Sequence, residues 1–171
     1  MGTGVAADYT GGAVTFIIIC IVFFIIWLCD GNKSGIDEKI EKLANNTLEM
    51  TPEEFLEMRK ASFNKHNSSY VSKKNFAGVY ILFNQTKGMY YVGQGQKVFD
   101  RVNSHFAGRG NGDVYADYKY GDKFTIRMIS LENSGFSTLN ELERNTIAKY
   151  NSYYKGYNKT RGNKGWFCVT P

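Results

Sequence analysis

The sequence predicts an α/β protein: a small domain with a three-stranded antiparallel sheet flanked by helices, preceded by one transmembrane helix and a helical stalk. Three observations carry this expectation. An uncharged apolar run occupies Ala13–Cys29, short segments rich in Val, Ile, Tyr and Phe recur beyond residue 76, and stretches of helical periodicity with N-cap signals lie between them. The 171 residues allow one ordinary domain plus an appendage. A composition of 43% hydrophobic and 22% charged residues is globular and argues against wholesale disorder.

The run from Ala13 to Cys29 reads AVTFIIICIVFFIIWLC. As a helix it spans roughly 25 Å, the short end of what crosses a bilayer. Every face is apolar, so it is not an amphipathic surface helix. A cleaved signal peptide is disfavoured because no Lys or Arg precedes the run and no small-x-small site follows it. A lipoprotein signal ending at Cys29 fails on Trp27 and Leu28, which stand where small residues belong. Residues 13–29 therefore read as a retained anchor in a lipid bilayer, with residues 1–12 as an extracytoplasmic tail. Lys33, Lys39 and Lys42 follow the run and no cation precedes it, which places the body of the protein in the cytoplasm, on a single-pass inner (cytoplasmic) membrane topology. Cys20, Cys29 and Cys168 make neither a zinc-ligand pattern nor a paired disulfide framework.

Residues 30–75 read as helical stalk and linker. A weak stripe of Ile36, Ile40, Leu43 and Leu48 is followed by a firmer signal, Thr51-Pro52-Glu53-Glu54: an N-cap threonine, proline at the first helical position and glutamate at the third. The helix it opens runs to about Phe63, with Phe55 and Met58 on one side. These helices form a stalk or pack against the following domain. KHNSSYVSKKN lacks periodicity and reads as a linker in which His66 is solvated.

From residue 76 to 171 the pattern is that of a compact domain. Ala77–Phe83 is the first strand, Asn84–Gly88 supplies turn chemistry, and Met89–Gly93 is a second strand, together an antiparallel hairpin. GQGQ breaks the strand. A helix from about Lys97 to Phe106 carries Val98, Val102 and Phe106 on one stripe, with Arg101 and His105 as i, i+4 neighbours on another face. Asp113–Lys119 is a short helix, and Phe124–Glu132 alternates as a third strand. Thr138 and Glu141 form a T-x-x-E cap for a helix reaching about Tyr150, and a loop, NSYYKGYNKTRGNKG, follows. Charge divides with the domains: residues 1–76 carry a net of −1 and residues 77–171 a net of +6. A basic C-terminal domain suits a polyanionic partner such as DNA.

Gly78-Val79-Tyr80, with Tyr91-Val92-Gly93 on the next strand, resembles the paired signature of the GIY-YIG nuclease family. Arg101 and His105 on the next helix, Glu143 in ERNTIAKYN and Asn158 in GYNKTRG follow in the family's order and spacing, and the GYN loop is similar to the homing-endonuclease and phage-type branch. The excision-repair branch has lysine directly after the YIG glycine; here that residue is Gln94, with Lys97 as a substitute source of charge. The resemblance implies a divalent-metal-dependent DNA endonuclease, with Tyr80, Tyr91, Arg101, His105 and Asn158 as catalytic residues and Glu143 on the metal.

Each residue type suits that chemistry. A single carboxylate, Glu143, fits Mg²⁺ or Mn²⁺, which keep several waters and take further ligands from substrate phosphate. Arg101 offers a planar fork for the scissile phosphate. His105 titrates near neutrality and is read as a base toward a tyrosine or as a phosphate contact. One of Tyr80 and Tyr91 is the general base or water-orienter, its phenol pKa lowered by Arg101, His105 and the metal. Asn158 bonds phosphate or fixes the loop. No separate DNA-reading module is visible, so cleavage is expected to have low sequence specificity and to suit defence against phage or other incoming DNA. Two other readings stay open: a catalytically inactive DNA-binding tether, and an exported nuclease effector or toxin.

Overall fold

The computed structural model describes residues 10–64 and 75–163. Two compact units divide the chain, residues 1–38 and 39–171. Helix α1 (Thr10–Asn45) contributes to both. It is one continuous helix where the sequence suggested a membrane span and a separate weak stripe, because no proline interrupts residues 10–45. In the first unit the large apolar side chains described between Phe16 and Ile26 all face outward. Ile19, the least exposed large one between Phe16 and Ile26, is still 46% exposed. Among the described residues no helix is long and apolar enough to cross a membrane. Of the expected span Ala13–Cys29, the side chains described are those of residues 15–26.

The second unit begins inside the segment read as a stalk or as helices packed on the domain, and from Lys39 onward it packs. Ile40, Ala44 and Phe55 are completely buried in it. The end of α1 is held by β3 (Phe124–Ser130): Arg127 donates from Nη1 to Ala44 O at 3.0 Å and from Nη2 to Glu49 at 3.0 Å. A cation on the last carbonyls is the favourable arrangement for a helix C-terminus. Met50 then exchanges two main-chain hydrogen bonds with Ile126. Helix α2 (Pro52–Asn64) opens on the expected box, with Thr51 N–H bonded to Glu54 Oε2 at 2.8 Å and Glu54 N–H to Thr51 Oγ1 at 3.2 Å. Of the linker expected over residues 65–75, residues 65–74, His66 with them, lie outside the described residues, as does Cys168.

The sheet has the order β2-β1-β3, with β1 (Gly78–Asn84) central and antiparallel to both neighbours. Strand β2 (Met89–Gly95) does not break after Gly93; Gln94 and Gly95 stay paired, opposite Val79 and Gly78. Alternation sorts the side chains onto two faces. Tyr80, Leu82, Ile126 and Met128 enter one core with α3 (Val98–Phe106) and α4 (Gly112–Lys119). Val79, Ile81, Val92 and Ile129 enter the other, with α5 (Leu139–Lys149) and the end of α1. We call these the α3 face and the α5 face.

As an outer strand, β2 presents unpaired main-chain groups. The loop after α5 covers them. Tyr157 N–H donates to Tyr90 O at 2.9 Å, and Asn158 acts as a one-residue strand: its Nδ2 donates to Val92 O at 2.7 Å and its Oδ1 accepts from Val92 N–H at 2.9 Å.

Candidate active site

The register puts Tyr80 opposite Gly93 and Tyr91 opposite Leu82, so both signature tyrosines lie on the α3 face. Their ring centroids are 6.2 Å apart, and the His105 ring sits 5.4 Å from Tyr80 and 4.8 Å from Tyr91. Tyr80 is fully buried, whereas Tyr91 is half-buried and opens to the surface. Gly93 explains the close approach: a Cβ there would collide with the Tyr80 hydroxyl. The glycine of the second signature tripeptide therefore makes room for the tyrosine of the first.

His105 is buried rather than solvated, at 1% exposure. Its Nδ1 accepts a hydrogen bond from Asn111 N–H at 2.9 Å, so the neutral ring carries its proton on Nε2. Nε2 lies 2.9 Å from Tyr80 Oη and donates to it. Burial, with Arg101 nearby, lowers the His105 pKa to about 4. Near neutrality, therefore, Nε2 holds a proton and points it at Tyr80, and the ring itself is buried. Gly110 permits this packing, since a Cβ there would stand 2.6 Å from His105 Nδ1. Asn111 also caps α4 by accepting from Asp113 and Val114 N–H. The Gly110-Asn111-Gly112 run was the available sequence signal for this support.

Burial raises the pKa of Tyr80 strongly, and the neighbouring Tyr91 adds to it, while Arg101 opposes both. Burial also raises that of Tyr91, against hydrogen bonding from Tyr80 and the charge of Arg101. The protein's own cations do not bring either phenol below its ordinary value, because desolvation outweighs Arg101 and His105 is neutral. Arg101 is exposed and also lowers the pKa of Glu143, so its charge reaches both halves of the site. Gly95 leaves space for its stem; a Cβ at that position would be 2.6 Å from Arg101 Cγ.

Glu143 comes from α5, against the opposite face, and reaches the site beside β2. It is 8% exposed, and burial raises its pKa against hydrogen bonds from the main chain of Asn163 and the side chain of Gln94. Gln94 Nε2 donates to Glu143 Oε2 at 3.0 Å and to Asn140 Oδ1 at 2.6 Å. The donor directly after the YVG glycine is thus a neutral amide, and Lys97 is exposed. Gly162 passes over the carboxylate, 3.4 Å from Oε2 to an added Cβ, and its φ of +93° is one that side chains rarely adopt. Among the described residues no group of three or more His, Cys, Asp or Glu could hold a metal ion. One carboxylate nevertheless fits a hard cation that keeps most of its waters and takes further ligands from substrate phosphate. Asn158, with both ends of its amide engaged by Val92, is placed to fix the loop.

Fold and site define a class: a small α/β domain whose hairpin brings two tyrosines, a histidine and an arginine beside one carboxylate. Residues 76–158 match the GIY-YIG catalytic domain family, just under half of the chain, and this match supports the nuclease family for that domain. No curated protein and no solved structure matches the chain.

Proposed function

We propose that residues 39–171 form a divalent-metal-dependent DNA endonuclease domain of low sequence specificity. The observation that carries this reading is the convergence of Tyr80, Tyr91, His105, Arg101 and Glu143 within the domain that matches the GIY-YIG catalytic family. The net charge of +6 over residues 77–171 suits a phosphate backbone.

Each side chain has a distinct task. Arg101 lays its fork on the scissile phosphate and offsets charge that grows in the pentavalent transition state. Tyr91, the more accessible phenol, orients the attacking water through its oxygen. Tyr80 accepts from His105 Nε2–H and turns its own proton toward Tyr91, so Tyr91 keeps its acceptor lone pair facing outward. Glu143 would hold Mg²⁺ or Mn²⁺; when bound, the ion supplies charge neutralisation on the phosphate and the leaving oxygen. Asn158 holds the covering loop on β2.

The test is cleavage of supercoiled plasmid by residues 39–171, with Mg²⁺, Mn²⁺ or EDTA. Metal-dependent nicking of plasmids of unrelated sequence is expected; intact plasmid under every condition overturns the assignment. The fragment must begin before Ile40, because Ile40, Ala44 and Phe55 belong to the core.

We further propose that residues 13–29 anchor this domain at the cytoplasmic membrane, facing inward, in a role against phage or other incoming DNA. The support is the uncharged run, the cations after it and the outward-facing apolar side chains of residues 16–26. A tether raises encounters with DNA entering through the bilayer and lowers those with the nucleoid. Deletion of residues 1–30 is expected to release the protein from alkali-washed membranes and to weaken protection of cells against phage. Protection equal to that of the full chain would remove the membrane from the mechanism.

A further inference from the structure

Strand β2 continues past the signature glycine, and its next residue reaches α5. We propose that Gln94 is a positioning residue for the metal-binding carboxylate: anchored on Asn140, its amide holds Glu143 Oε2 and sets the rotamer in which the carboxylate meets the ion. This rests on the reading of Glu143 as the metal ligand.

The geometry fixes the amide. Gln94 Nε2 is 2.6 Å from Asn140 Oδ1 and 3.0 Å from Glu143 Oε2. Both facing atoms accept, so the NH₂ end of Gln94 must meet them, and its two protons are shared one to each. Asn140 and Glu143 are three residues apart on α5, which places them on one helix face. A single side chain on the outer strand therefore spans one helical turn and ties the carboxylate rotamer to the sheet that carries Tyr91.

The chemistry of the donor matters as much as its place. A free glutamate at this position has rotamers to lose when it captures a cation, and pinning one oxygen removes that cost in advance. A lysine in place of Gln94 would pin the carboxylate too, but would also cancel its charge and compete with the ion. A neutral amide satisfies one oxygen and keeps the full negative charge for the metal. Partners of this kind tune metal affinity by roughly 10–100-fold.

The test is Mn²⁺ binding to the full chain in detergent, read by electron paramagnetic resonance of the free ion, without DNA. Wild type, Gln94→Ala, Asn140→Ala, Gln94→Lys and Glu143→Ala are compared, with far-ultraviolet circular dichroism as the control for folding. Gln94→Ala and Asn140→Ala are expected to raise the Kd about 10–100-fold, and Gln94→Lys at least as much. Plasmid cleavage by the two alanine variants should recover toward the wild-type rate at saturating Mn²⁺, which a merely structural defect would not do. An unchanged Kd in folded Gln94→Ala and Asn140→Ala, with binding lost in Glu143→Ala, overturns the role of Gln94 alone. Binding that persists in Glu143→Ala overturns the metal assignment itself.

Discussion

Val79 and Tyr80 are consecutive in β1, yet their side chains enter different environments. On the α3 face, apolar packing encloses a polar arrangement: His105, 1% exposed, bonded to a fully buried Tyr80. On the α5 face, Val79, Ile81, Val92, Leu142 and Ile147 form an apolar layer, and the reactive group, Glu143, stands at its rim beside β2. One face thus spends buried volume on orienting phenols, while the other serves as a rigid mount for a carboxylate. The two halves meet across β2, where Arg101 and Tyr91 from one face feel the charge of Glu143 from the other. A buried polar pair is costly unless fully satisfied, and the α3 face meets that demand with Asn111 on one side of the imidazole and Tyr80 on the other.

The comparison can be broken most sharply at Glu143. If each face supplies half of one site, Glu143→Ala should reduce plasmid cleavage at least about 10³-fold while leaving the circular dichroism spectrum intact. Glu141→Ala should keep its activity, since Glu141 caps the start of α5 by accepting from Ser137 N–H at 3.0 Å. Cleavage surviving in Glu143→Ala would confine the chemistry to the α3 face.

Titration tests the buried histidine. The His105 pKa falls from an ordinary value of 6.5 to about 4 in the folded protein, so below pH 6.5 the unfolded chain binds the extra proton first. Stability is therefore full above pH 6.5 and is lost as pH falls toward 4, by roughly 3 kcal/mol across that window. Urea unfolding of residues 39–171 between pH 7.5 and 4 should show this loss, and His105→Gln should flatten much of it. An equal slope in the variant would assign the loss to other groups.

Arg101 sharpens the comparison because its charge touches both faces. Arg101→Lys keeps a cation but loses the two-pronged contact, and roughly a 10²-fold fall in kcat is expected. Near-wild-type turnover would make Arg101 an ordinary surface cation. A smaller effect belongs to Gly93→Ala, which pushes a methyl group into the Tyr80 hydroxyl and should cost about 1–3 kcal/mol in chemical denaturation. An unchanged midpoint would show that Tyr80 yields without strain.

Local sequence patterns determined a good deal by themselves. The hairpin, the third strand, the capping box at Thr51–Glu54 and the amphipathic α3 were legible because each rests on contacts within a few residues. The candidate site residues came from the resemblance of their motifs to the GIY-YIG family, and neighbouring strands of one hairpin allowed Tyr80 and Tyr91 to share a face. Tertiary structure decided the rest. Stalk and packed helices were both open for the segment holding Ile40, Ala44 and Phe55, because a weak helical stripe does not reveal whether a sheet will cover it. Gln94 looked like a strand breaker among glycines, and only the arrival of Asn140 and Glu143 gave it partners. His105 was read as a group titrating near neutrality; its neutrality depends on Asn111 and on burial against Tyr80, neither of which periodicity encodes. Proton positions and metal-ligand geometry depend on distances between elements far apart in the chain, and those distances are set only when the two faces of the sheet close.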